Sequence, residues 1–197
     1  MRKMKGKINI WIALVLLATG TLAAWSLKKV PLPPANAGQV EKADALRVEL
    51  RAAWKRSEDF TRQIVEQMPP EYFQFKYTDD AMTFAEQWRH CCIYTCGQLA
   101  SNLDLNDNPY SNPLNKPRVD LSKAETLSEL DKMYRYVDST IVRLPAEKLL
   151  AEVDFAKDRI PAWRLFYAME NHIIHHRGQC VVYLRLNGIK PIGYYGW

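Results

Sequence analysis

Residues 161–188 read PAWRLFYAMENHIIHHRGQCVVYLRLNG. Proline suits the first turn of a helix, where its missing N–H costs nothing. Gly188 suits the position just past a helix end, where the backbone turns left-handed. The stretch between them predicts one helix running to about Asn187. His172 and His176 stand four apart on it, so both project from one face, whereas His175 is rotated about 100° from His176.

Working toward the N-terminus, three more helices are expected. Ser122-Lys123-Ala124-Glu125 is a capping box, with Ser as N-cap and Glu three positions on. It opens a helix to about Leu144 that shows Leu127, Leu130, Met133, Tyr134, Val137 and Ile141 near helical spacing. Pro145–Arg159 then reads as a connection with one helical turn. Thr83-Phe84-Ala85-Glu86 is a second capping box, starting a helix near Phe84 that runs to about Leu103. The intervening Asp104–Asp120 is a loop, too long for idle filler. It is expected to lie at the rim of a substrate pocket that opens at the bundle end where the histidines meet. Gln39–Met68 has no internal Pro or Gly after Val40 and carries Leu46, Leu50, Ala53, Trp54, Phe60, Ile64 and Met68. It reads as one long helix ended by Pro69-Pro70. Four amphipathic helices and no convincing strand make an all-α, four-helix bundle over residues 39–197.

The chain has 197 residues, of which 48% are apolar, ample for a core. Its formal charge of +5 is unevenly placed. Residues 1–37 hold Arg2, Lys3, Lys5, Lys7, Lys28 and Lys29 and no acid, which leaves 21 basic and 22 acidic residues for the rest. Nucleic-acid binding wants basic side chains on the domain itself, so no nucleic-acid partner is expected.

After the basic flank 1–7, residues 8–27 read INIWIALVLLATGTLAAWSL without a charge. As a helix this run spans about 30 Å, the thickness of a hydrocarbon core. The basic flank favours a cytoplasmic N-terminus. The run is therefore a transmembrane anchor or the apolar region of a signal peptide. Ala35-Asn36-Ala37 has a small-x-small cleavage pattern, although it lies far past the run. Residues 28–38, with three prolines, form a linker. Either reading places the domain outside the cytoplasm, membrane-anchored or secreted to the periplasm.

All four histidines fall on two helices: His90 on the second, the others on the fourth. A divalent metal needs imidazoles converging at about 2.0–2.1 Å. The His172/His176 pair supplies two from one rigid element, and His90 is the only histidine elsewhere. Helical histidines are also often plain core or surface residues, so the residues alone leave both readings open. Glu86, four before His90, is a weak candidate for a general base, with its capping role as the alternative. Arg177 and Gln179 are expected to tie the last helix to its neighbours, with Gly178 permitting close packing. Cys91, Cys92, Cys96 and Cys180 read as small buried thiols, with a Cys180 bridge to the helix-two group as the oxidised alternative.

The run Asn171-His172-Ile173-Ile174-His175-His176-Arg177-Gly178-Gln179, followed by Tyr183-Leu184-Arg185-Leu186-Asn187-Gly188-Ile189-Lys190-Pro191, resembles the DinB/YfiT-like family. Thr83-Phe84-Ala85-Glu86-Gln87 leading to His90 is similar to that family's second-helix motif. The resemblance covers about residues 40–195. It implies an up-down-down-up bundle whose three histidines bind a divalent metal, zinc or nickel foremost. By position those ligands are His90, His172 and His176. It further implies metal-dependent hydrolysis or group transfer on a small molecule. A non-catalytic metal-binding or structural bundle, as a homodimer, and a thiol-dependent S-transferase are the alternatives. Two features depart from the family pattern: the cysteines that follow His90, and the N-terminal apolar run.

Overall fold

The computed structural model describes residues 31–194, so the apolar run 8–27 and its flank lie outside the described residues. Among the described residues no helix is long and apolar enough to cross a membrane. The elements are α1 (Ala37–Gln67), α2 (Phe84–Asn102), α3 (Lys123–Arg143), α4 (Ala146–Leu150), strands β1 (Glu152–Phe155) and β2 (Asp158–Pro161), and α5 (Ala162–Leu186). The fold is mostly helical, as expected.

Helix starts follow local chemistry. Thr83 and Ser122 accept from the N–H groups of Glu86 and Glu125, whose carboxylates accept in return from the cap N–H. α1 begins two residues earlier than its apolar pattern suggested. Asn36 and Gln39 form a third capping box there, inside the stretch read as linker. α5 ends in a Schellman motif: Gly188 sits at φ +74, Gly188 N–H donates to Arg185 O, and Ile189 N–H to Leu184 O. Pro161 precedes the first turn of α5 as its N-cap and closes β2.

The four long helices pair in a ring: α1 lies against α3 and α5, and α2 against the same two. Cross-helix bonds set their directions. Lys123 Nζ, at the start of α3, donates to Glu66 O and Met68 O at the end of α1. Arg47, early in α1, donates to Ile141 O and Leu144 O at the end of α3. These two cations satisfy carbonyls that a helix end leaves open. α1 and α3 are thus antiparallel. Arg177 reaches Ser57 and Thr61, and Gln67 reaches Lys190, so α1 and α5 run the same way. Gln87 meets Tyr183 while His90 meets His172, which makes α2 antiparallel to α5.

The hairpin corrects the expectation of no strands. Val153 pairs with Ile160 and Phe155 with Asp158, in antiparallel register. Val153, Phe155 and Ile160 are half-buried against the core, and their neighbours Asp154 and Arg159 are exposed. That alternation is strand periodicity, in a segment too short to stand without the helices behind it. The two-residue turn holds Ala156 at φ +56, a conformation L-residues seldom adopt.

Arg177 ties α5 to α1 as expected. Its side chain is 8% exposed and pairs with Glu170, 4% exposed, at 3.4 Å, while Nη1 donates to Ser57 and Thr61. Gly178 does not permit a close approach. It is exposed, and a Cβ there would meet nothing within 4 Å.

Candidate metal centre

α2 and α5 bring His90, His172 and His176 together along their seam rather than at the bundle end. The ligand atoms of all three lie within 4.8 Å of one another. His172 Nε2 is 3.1 Å from His90 Nε2 and 3.2 Å from His176 Nε2. Two nitrogens bound to one cation at 90–109° are about 2.9–3.4 Å apart. Both observed separations fall inside that interval.

The donor set also fits a cation. A ring nitrogen carries either a proton or a lone pair, so His172 Nε2 cannot donate to one neighbour while accepting from the other. Its Nδ1 is buried without a hydrogen-bond partner. A positive ion facing the three Nε2 atoms would pair the lone pairs that no arrangement of protons can satisfy together, with the His172 proton left on Nδ1.

The electrostatics keep the imidazoles neutral. Burial pushes His172 and His176 down to about 4, and the neighbouring histidines add to the shift. His90 is lowered too, first by burial and then by the Arg89 charge. Neutral rings present the lone pairs a metal needs. Tyr94 stacks on His172, with ring centroids 4.3 Å apart, and restricts that imidazole's rotation.

His175 is exposed and adds no ligand atom to the cluster, as its position on the helix predicted, although its ring packs edge-on against His176 with centroids 5.0 Å apart. Glu86 Oε2 accepts from Thr83 N–H at 2.8 Å, so its carboxylate is engaged at the helix start. No carboxylate of the described residues joins the three nitrogens. The four cysteines are buried and free, and burial raises every one of them, Cys96 to about 12. The oxidised alternative is not formed, and the thiols stay protonated.

Two expectations about the surroundings are corrected. The Asp104–Asp120 loop bonds to Arg89, Glu129 and Tyr136, against α2 and α3, and not to the histidines. A cavity of about 300 Å³ lies on the α1 side of α5, lined by Arg56, Phe60, Glu170, Arg177 and Tyr194 among others, turned away from the histidine face.

Gln87 was not singled out from the sequence. It is buried, and its Oε1 lies 2.5 Å from His176 Nδ1. Its signal was faint: a polar side chain three residues before His90, directly after the capping box.

Comparison with solved structures agrees with the fold. The chain is similar to a DinB-like protein from Bacillus cereus ATCC 10987, at 18% identity and a TM-score of 0.61, covering 74% of this chain and 95% of that one. It is also similar to a DinB-like protein from Bacillus subtilis, at 18% identity and a TM-score of 0.59, covering 75% of this chain and 97% of that one. Such identities speak for the fold alone. No curated protein matches the chain. The sequence profile of the DinB superfamily matches residues 50–180, which contain all three clustered histidines, the whole of α2 and α3, and most of α1 and α5. The chain therefore belongs to the DinB superfamily.

Proposed function

We propose that the chain binds one divalent metal, zinc or nickel, through Nε2 of His90, His172 and His176, and uses it in hydrolysis or group transfer on a small molecule. The observation that carries this reading is the convergence of three neutral Nε2 atoms from two helices. Bound there, the ion would supply Lewis-acid chemistry, polarising a substrate oxygen or acidifying a water or thiol. The chain's own part is positional. α5 sets two ligands on one face, α2 sets the third, and Tyr94 holds the His172 ring against rotation. The buried protonated cysteines offer no nucleophile, which weighs against a protein thiol in the reaction.

We place the domain outside the cytoplasm, tethered or released through residues 8–27. The support is the uncharged run with a basic flank. A second reading, metal binding without turnover, is favoured by one observation: no described carboxylate joins the cluster to serve as a base.

The test is elemental analysis of the full chain by plasma mass spectrometry, beside a His90→Ala variant. About one divalent ion per chain, lost in the variant, is the expected result. A chain that takes up neither zinc nor nickel overturns the proposal. Turnover of esters, amides or thiol conjugates that disappears on chelation separates the catalytic reading from the second.

A further inference from the structure

We propose that Gln87 is a positioning residue that holds His176 in its Nδ1–H tautomer, so that the Nε2 lone pair faces the other two histidines. The inference rests on the metal reading above and adds the device that presents one ligand.

The argument starts at a group whose role is not in doubt. The backbone carbonyl of Met82 can only accept, so the Tyr183 hydroxyl donates its proton there. The Tyr183 oxygen, its proton spent, can only accept from Gln87. The nitrogen end of the Gln87 amide therefore faces Tyr183, at 3.5 Å. The same Nε2 donates to Gln179 Oε1 at 2.9 Å, and Gln179 Nε2 donates to His175 Nε2 at 2.8 Å.

With its nitrogen committed on that side, Gln87 turns Oε1 toward His176 Nδ1, 2.5 Å away. A carbonyl oxygen cannot donate, so the imidazole proton sits on Nδ1. Nε2 is left with its lone pair, 3.2 Å from His172 Nε2. Gln87 is 2% exposed, so water does not compete for the bond. A free histidine side chain prefers the opposite tautomer, with the proton on Nε2, where it would block a ligand position. Partners that fix ring orientation and tautomer in this way usually change metal affinity about 10–100-fold when removed.

The direction of the amide is thus decided by Met82 at the entry to α2, one turn and more from the nearest ligand. Gln179, the last residue of the motif that begins at Asn171, acts as the second brace on Gln87. Neither glutamine is placed to touch the ion, and their effect on it passes through His176.

The experiment uses the full chain labelled with ¹⁵N-histidine, whose four histidines give a readable spectrum. Long-range proton–nitrogen correlations of the metal-free chain report the tautomer, and competition with a chromophoric chelator reports the zinc Kd. Wild type is expected to show His176 as Nδ1–H. Gln87→Leu is expected to move the proton to Nε2 and raise the Kd at least about tenfold. Gln87→Glu keeps an acceptor for Nδ1–H and is expected to restore the Nδ1–H tautomer; its second oxygen cannot donate to Gln179 or Tyr183, so the tautomer and not the Kd is its readout. Wild type in the Nε2–H tautomer overturns the assignment, and this readout stands even if Gln87→Leu does not fold. A folded Gln87→Leu with the wild-type Kd overturns it as well. A wild-type chain that binds no zinc overturns instead the metal reading beneath it.

Discussion

Nε2 of His90 and Nε2 of His172 lie 3.1 Å apart across two helices, although 82 positions separate them in the chain. A neutral imidazole could satisfy this one contact with a proton, but His172 Nε2 also faces His176 Nε2 at 3.2 Å and cannot donate to one while accepting from the other. The three clustered histidines should therefore behave as a unit. His90→Ala, His172→Ala and His176→Ala are each expected to lose the metal with helix content retained. His175→Ala, at an exposed position outside the cluster, is expected to keep it. Equal metal content in all four variants would sink the ligand assignment.

The acid side of the stability profile follows from the same cluster. His172 and His176 titrate at about 4 in the fold because burial disfavours their charged forms, against an ordinary 6.5. Between those values the unfolded chain binds more protons than the native one. The stability of the metal-free protein is therefore complete above about pH 6.5 and is lost progressively as pH falls toward about 4. Zinc affinity should stay nearly level down to about pH 5, since few protons compete at the folded site. Thermal melts and chelator competition across pH 4–8 check both. A melting profile flat from pH 7 to 4 would contradict the burial argument.

The Arg177–Glu170 pair sits on the other side of α5, where both partners are buried. Burial raises the Glu170 pKa and Arg177 pulls it back. Removing only the cation strands a carboxyl in the core. Arg177→Met is expected to cost about 3–5 kcal/mol in urea unfolding. Adding Glu170→Met should recover much of that loss. A single variant within about 1 kcal/mol of wild type would show the pair to be better hydrated than its burial indicates.

The N-terminus of α2 separates the two roles considered for Glu86. Its carboxylate accepts from Thr83 N–H, and Thr83 Oγ1 accepts from Glu86 N–H at 3.1 Å. Thr83→Ala should cost about 1 kcal/mol. Glu86→Gln preserves an acceptor and should shift stability by no more than about 0.5 kcal/mol. If turnover is found, wild-type kcat in Glu86→Gln is the expected result, and a drop of a hundredfold or more would restore the general-base role.

Two glycines of α5 and its cap should respond with opposite signs. Gly188 holds φ +74, so alanine there is strained by about 1–2 kcal/mol. Gly178 has helical backbone and open space around the missing Cβ. Alanine there should stabilise by about 0.5–1 kcal/mol through lower unfolded-state entropy. Chemical denaturation of the two variants gives the comparison directly.

Much of the fold was legible because its signals are local. Each capping box at Thr83 and Ser122 satisfies its own orphan N–H groups, and Gly188 terminates α5 through its own φ. The hairpin was missed although Val153, Phe155 and Ile160 alternate with polar residues. Four-residue strands gain their stability from the helices they lie on, and a sequence window does not contain those helices. Gly178 was misread for a related reason: whether a glycine admits a neighbour depends on a neighbour being there.

The sequence by itself determined the helices, their caps and the placement of two histidines on one face, because those features depend on residues three or four apart. It also supplied His90 as the only remaining histidine. The tertiary structure decided what those residues meet. The rotation and depth of α5 against α2 place His90 opposite His172, bring Gln87 to His176 Nδ1, and leave His175 in solvent. Those contacts join residues more than eighty positions apart, and shifting either helix by one residue turns a different side chain into the seam, so only the packed bundle selects them.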